Sequence, residues 1–146
     1  MAKMVDVGGK MDVKRVAVAI GEIVLKQSTV NAISSGKVPK GDVLGAAEVT
    51  AIQAIKRTWE VLPHCHQIPL TSIDVQLKRR RGGLSATVTV EATYKTGVEM
   101  EALYGVSVAL LTVWDMVKSL EKDKKGQYPT ATIGNIRVRA KVKRDA

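Results

Sequence analysis

SIDVQLKRRRGGLSATVTVEATY, residues 72–94, decides the fold. Ile73, Val75 and Leu77 alternate with Asp74, Gln76 and Lys78, the period of a half-buried strand. Gly82 and Gly83 supply a turn, and Leu84 to Tyr94 alternates again. The stretch predicts a β-hairpin with strands over Ser72–Arg79 and Leu84–Tyr94. Downstream, Leu103, Val106, Leu110, Val113, Val117 and Leu120 recur at three and four residues, which predicts a long helix from Val98 to about Lys122. Thr132 to Lys143 then returns to alternation. Ile136, Val138, Ala140 and Val142 interleave with Arg137, Arg139, Lys141 and Lys143, a strand with one wholly basic face.

Upstream of the hairpin, Asp42 is a good N-cap for a helix over Val43–Val61 that runs until Pro63. Before it, Val16, Val18 and Ile20 alternate with Arg15, Ala17 and Ala19, giving a strand over Arg15–Leu25, and Lys26 to Ser35 suits a short helix. The order strand, helix, strand, strand, helix, strand is that of an α+β, ferredoxin-like split βαβ sandwich, an antiparallel sheet with two long helices on one face. The other face, rich in Val and Ile, calls for cover by another subunit, so an oligomer is expected.

A chain of 146 residues suits one domain over 1–146. Charged residues among the first fourteen leave no continuous apolar stretch for a secretory signal. The longest apolar run, Gly105 to Trp114, falls short of the roughly 20 residues that span a bilayer, so no membrane is expected. Cys65 is the lone cysteine and fits a reducing, cytoplasmic setting. The net charge of +9 points to a nucleic-acid surface or to phosphorylated ligands; with aromatics at 3% and no Phe, base-stacking platforms are scarce and the small phosphorylated ligand is favoured.

Four polar clusters stand out. Lys40-Gly41-Asp42 precedes a helix start, where a phosphate or merely an N-cap with a solvated lysine would fit. Pro63-His64-Cys65-His66 brings two imidazoles to one side if the chain is extended. With no further Cys or His in the chain a zinc site lacks ligands, which leaves acid–base or hydrogen-bonding work, or plain ring packing. Lys95-Thr96-Gly97-Val98-Glu99-Met100-Glu101 places carboxylates in a helix's first turn, as helix capping or as an edge for a polar heterocycle. Asp115 and Lys118 share a helix face after an apolar run, as a surface ion pair or as a partly buried pair suited to proton transfer. Glu101 and Asp115 are fourteen residues apart, about 21 Å along a straight helix, so a single site using both must be built by two subunits.

Met4-Val5-Asp6-Val7, Lys40-Gly41-Asp42-Val43, Ile52-Gln53-Ala54 with Lys56-Arg57-Thr58-Trp59, Cys65-His66, Lys95 to Leu103, and Asp115-Met116-Val117-Lys118 together resemble the molybdenum cofactor biosynthesis protein C family, the cyclic pyranopterin monophosphate synthases. The resemblance covers nearly the whole chain in order. It implies a lyase that takes cyclised 7,8-dihydro-GTP (3',8-cyclo), rearranges its purine to a pterin, closes a cyclic phosphate and expels pyrophosphate. Asp115 and Lys118 would be the catalytic acid and base. His64, Cys65, His66, Glu99, Met100 and Glu101 with Lys95 would hold the heterocycle, and Lys40, Lys56, Arg15 and Lys141 would face phosphates or the reacting ring. No redox cofactor and no metal site are implied, Mg2+ entering only through substrate phosphates. Residues 1–14 would be flexible or ordered by substrate. The family assembles as a hexamer, a trimer of dimers with sites at dimer interfaces, and a transient contact with the upstream radical GTP cyclase is expected. Two departures stand out: Gln67 where the family usually has proline, and the short tail Val142 to Ala146. The alternatives are a nucleic-acid-binding module on the same fold, resting on Arg79-Arg80-Arg81 and the basic last strand, and an idle scaffold subunit.

Overall fold

Small side chains on the first strand let a helix lie close against the sheet. In the computed structural model, which describes residues 2–144, β1 (Val13–Val24) buries Ala17, Ala19, Gly21 and Ile23 and leaves Val16, Val18 and Ile20 partly exposed on the opposite face. A Cβ at Gly21 would lie 2.7 Å from Val106 Cγ1 and 3.0 Å from Leu110 Cδ1, so glycine sets how near the helix can sit. After β1 come α1 (Gln27–Ser34), α2 (Val43–Lys56), α3 (Thr58–Val61), the hairpin β2 (Leu70–Arg80) and β3 (Gly83–Tyr94), α4 (Glu99–Glu121) and β4 (Thr132–Arg144).

The four strands form one antiparallel sheet in the order β2-β3-β1-β4, the ferredoxin-like arrangement expected. Leu84, Ala86, Val88 and Val90 of β3 meet Val106, Leu110 and Val113 of α4 and Ile55 of α2 in the core. α4 has the length and composition of a bilayer-crossing helix, which the shorter run from Gly105 to Trp114 did not suggest. Here it is the core helix, its buried side running from Glu101 to Glu121.

Two expectations need correction. The helix over Val43–Val61 is interrupted: Arg57, at φ −116° and ψ 14°, separates α2 from the single turn of α3. The basic face of the last strand is also broken. β4 pairs Val18 with Ala140 but Ala19 with Val138, and Ile20 with Arg137 but Glu22 with Gly134, so Arg139 and Asn135 (φ 54°) are extra residues in two bulges. Because side chains alternate, each bulge reverses which face the next residues take. Val138 and Lys141 therefore share the helix-covered face, while Arg137 and Ala140 lie on the open one. The nucleic-acid reading loses one of its two supports.

α1 is held by a carboxylate from the far end of the chain. Its N-cap Lys26 makes no side-chain cap. Buried Glu121 accepts from Lys26 N at 3.1 Å and from Thr29 Oγ1, while Lys26 Nζ donates to Leu120 O at 3.4 Å. The last turn of α4 and the first turn of α1 thus satisfy one another's free backbone groups.

Candidate functional site

α4 carries a polar cluster near each end. It begins at Val98 without a side-chain cap, and Glu99 and Glu101 occupy the first turn, where free N–H groups favour carboxylates. Glu101 is only 3% exposed. Its Oε2 accepts from Cys65 Sγ at 3.7 Å, and its Oε1 has no partner among the described residues. Burial pushes this carboxyl above the ordinary range, opposed by hydrogen bonds from its own amide and the thiol, with the charge of Glu99 pushing further upward. Cys65 is pushed up to about 11, first by desolvation and then by the negative charge of Glu101. At neutral pH it is a thiol that donates a hydrogen bond, not a thiolate nucleophile or metal ligand.

Leu62 to Cys65 form a turn, with Cys65 N bonded to Leu62 O at 2.9 Å, so the extended geometry on which the one-sided placement of the imidazoles depends is not met. Both imidazoles nevertheless line one cavity of about 600 Å³, together with Cys65, Glu99, Met100 and Gly97. That volume falls in the range of small-molecule sites. His66 Nε2 lies 2.6 Å from the Val5 carbonyl. Since a carbonyl only accepts, that nitrogen carries the proton, and a neutral His66 ring leaves Nδ1 free to accept.

Three of the cations expected at a site lie at this end. Lys141 Nζ lies 3.1 Å from Glu99 Oε1, a contact that depends on the Arg139 bulge turning Lys141 to the helix side. Lys95 Nζ donates to Lys10 O at 3.2 Å and pairs with Asp12 at 3.2 Å, so it ties down the N-terminal stretch instead of meeting the cavity directly. Arg15, 6% exposed, donates to Tyr94 O at 3.4 Å and Lys95 O at 3.1 Å. These bonds fix the strand end that feeds the Lys95–Gly97 turn.

The second cluster lies further along α4. Asp115 Oδ1 is 3.1 Å from Lys118 Nζ and Oδ2 is 3.3 Å from Lys40 Nζ, which also donates to Asp115 O at 3.1 Å. Gly41, at φ +108°, allows the turn that carries Lys40 across to α4. Asp42 caps α2 by accepting from Gly45 N at 3.1 Å, so the start of α2 is taken by its own carboxylate. The partly buried setting expected for Asp115 and Lys118 is not found: their side chains are 58% and 42% exposed. The run before Asp115 turns its buried side toward the sheet, whereas Asp115 points outward. Hydrogen bonds from Lys118 first, then Lys40, hold its carboxyl below the usual carboxylate range. Lys56, in the last turn of α2, is exposed and belongs to neither cluster. Among the described residues no three His, Cys, Asp or Glu side chains converge as metal ligands.

The clusters therefore sit about 21 Å apart on an unbroken helix. One offers a cavity with hydrogen-bonding edges, the other an ionised carboxylate between two ammonium groups. Against known proteins, the model of the MoaC family matches residues 4–143. The chain belongs to the MoaC family. It is 53% identical over 143 residues to the probable cyclic pyranopterin monophosphate synthase of Pyrococcus furiosus, covering 98% of this chain and 92% of that one. It is 56% identical over 144 residues to the protein of that name in Methanospirillum hungatei, covering 99% and 92%. It is 55% identical over 141 residues, covering 97% and 89%, to a probable cyclic pyranopterin monophosphate synthase accessory protein of Methanothermobacter thermautotrophicus.

The MoaC match takes in both clusters and most of the N-terminal stretch, where residue-level reading missed contributors. Lys3, Val5, Val7 and Lys10 line the 600 Å³ cavity. The string Met4-Val5-Asp6-Val7 signalled Val5 and Val7, as part of a family resemblance, and nothing signalled Lys3 or Lys10. No periodicity could, because the stretch has no regular structure and is placed by His66 and Lys95.

Proposed function

We propose that this MoaC-family chain converts cyclised 7,8-dihydro-GTP into cyclic pyranopterin monophosphate with release of pyrophosphate, a cytoplasmic step of molybdenum cofactor synthesis. The observation that carries the proposal is the Lys40–Asp115–Lys118 cluster. A rearrangement that moves hydrogens and forms a cyclic phosphate needs proton donors and acceptors beside cations that balance phosphate charge. The names of relatives more than 50% identical over nearly the whole chain support the same reading.

In this reading Asp115 and Lys118 exchange protons with the substrate, and Lys40 balances phosphate charge as Asp115 turns to the reacting ring. The heterocycle lies in the cavity of His64, Cys65, His66, Glu99 and Met100, with buried Glu101 behind Cys65, Lys141 beside Glu99 and Lys10 on the N-terminal side. Arg15 and Lys95 act by holding the turn and the stretch that form its walls. Mg2+ enters with the substrate's phosphates, and no electron acceptor is required. The cavity of one subunit and the Asp115 cluster of another form each site, in a hexamer built as a trimer of dimers that takes its substrate from the upstream radical cyclase.

The test is conversion of authentic cyclic dihydro-GTP, followed by pterin fluorescence after oxidation together with pyrophosphate release. Wild type is expected to turn over. Lys118→Ala, altering an exposed side chain, is expected to fold normally and to lose at least about 100-fold in kcat. An inactive wild type sinks the proposal.

A further inference from the structure

Arg79, Arg80 and Arg81 take no part in the proposed reaction, yet the hairpin tip that carries them is held in place. The hairpin tip is tied to α1: Leu25 N donates to Gly82 O at 2.9 Å, and Gly82 N donates to Gln27 Oε1 at 2.8 Å. Arg79 donates to Ser34 Oγ, and Arg80 is engaged by Glu22. Between the tip and α1 lies a hollow of about 310 Å³ lined by Gln27, Asn31, Ser34 and the three arginines over the buried floor of Val30.

No carboxylate lines this hollow. Glu22, the nearby acid, is spent on Arg80 and Asn135, and among the described residues neither Arg79 nor Arg81 is in an ion pair. Guanidinium groups recognise phosphate oxygens through paired N–H donors, and Arg79 and Arg81 offer two such forks beside an amide and a hydroxyl. With no aromatic ring in the lining, stacked bases have no platform. The hollow also lies at the opposite end of β1 from the His66 cavity, roughly 36 Å away by strand length.

We propose that the hollow between the Arg79–Arg81 hairpin tip and α1 is a second anion site, which takes a di- or triphosphate group, either free pyrophosphate or the tail of a nucleotide. It stands independently of the reaction proposed above, because its test reads arginine reactivity and not turnover.

The experiment is phenylglyoxal modification of the full-length protein, with Arg79 and Arg81 followed by mass spectrometry and exposed Arg137 as reference. Inorganic pyrophosphate, GTP, guanosine and a short RNA are added separately. Pyrophosphate at about four times its Kd is expected to slow modification of Arg79 and Arg81 about fivefold, leaving Arg137 unchanged and guanosine without effect. Equal protection by pyrophosphate and GTP assigns the phosphates alone; protection by GTP only assigns a nucleotide tail. In Arg81→Gln, protection of Arg79 should vanish while the modification rate of Arg137 stays at its wild-type value. Protection by neither phosphate compound, protection by RNA alone, or undiminished protection of Arg79 in Arg81→Gln would overturn the proposal.

Discussion

At the scale of single residues, burial and the neighbouring Glu101 charge keep Cys65 as a thiol, while the thiol's hydrogen bond works against the burial that raises Glu101. The thiol's folded value of about 11 stands above the ordinary 9.0. A group whose pKa is raised on folding leaves stability intact below the unfolded value and costs stability as pH climbs through the folded one. Urea midpoints should therefore fall between pH 9 and 11 in wild type, and part of that fall should be missing in Cys65→Ala. Identical pH profiles would show that the thiol is not held by burial. The spacing of Asp115 and Lys118 was readable as one helix face, but their exposure was not. A run such as Gly105–Trp114 shows that a helix has a buried side without showing whether the residue that ends the run belongs to it.

At the scale of elements, the periodicities placed both long helices and all four strands, because each of these segments buries one side. What escaped was geometry without a composition marker. No Gly or Pro announces the break at Arg57, and the β4 bulges put their extra residues at Asn135 and Arg139, side chains that a strand pattern reads like any others. Two predictions belong here. Glu121→Ala should cost about 3 kcal/mol, since it strips charge-assisted bonds from Lys26 N and Thr29 Oγ1 in a buried setting. Amide exchange over residues 26–35 should speed up more than in the rest of the chain. Gly105→Ala sets helix propensity against packing. Alanine favours the helix by about 1 kcal/mol, but its Cβ would stand 2.6 Å from Ile55 Cδ1, which is fully buried and cannot swing away. Overpacking of about 1–3 kcal/mol should win, and chemical denaturation should show a net loss of about 1 kcal/mol.

At the scale of the whole molecule, the separation of the two clusters makes a sharing scheme measurable. Glu101→Ala and Asp115→Ala chains, each inactive alone, are unfolded and refolded together at equal amounts. If every site takes one cluster from each of two subunits, random pairing leaves one site in four with both clusters intact, so about a quarter of wild-type activity should return. No recovery would mean that one chain supplies both residues. The arrival of Lys3, Val5, Val7 and Lys10 at the cavity belongs to this scale too: it follows from tertiary bonds to His66 and Lys95, which no local pattern in the first residues encodes.

The unbroken run of α4 from Glu101 to Asp115 also constrains how the chain can change length. One inserted residue would rotate everything beyond it by about 100° and advance it by about 1.5 Å, swinging Asp115 away from Lys40. Seven residues, nearly two full turns, would restore the direction to within about 20° but lengthen the gap by roughly half. No insertion keeps both bearing and distance, so this helix should be the segment in which relatives differ by substitution and never by gaps.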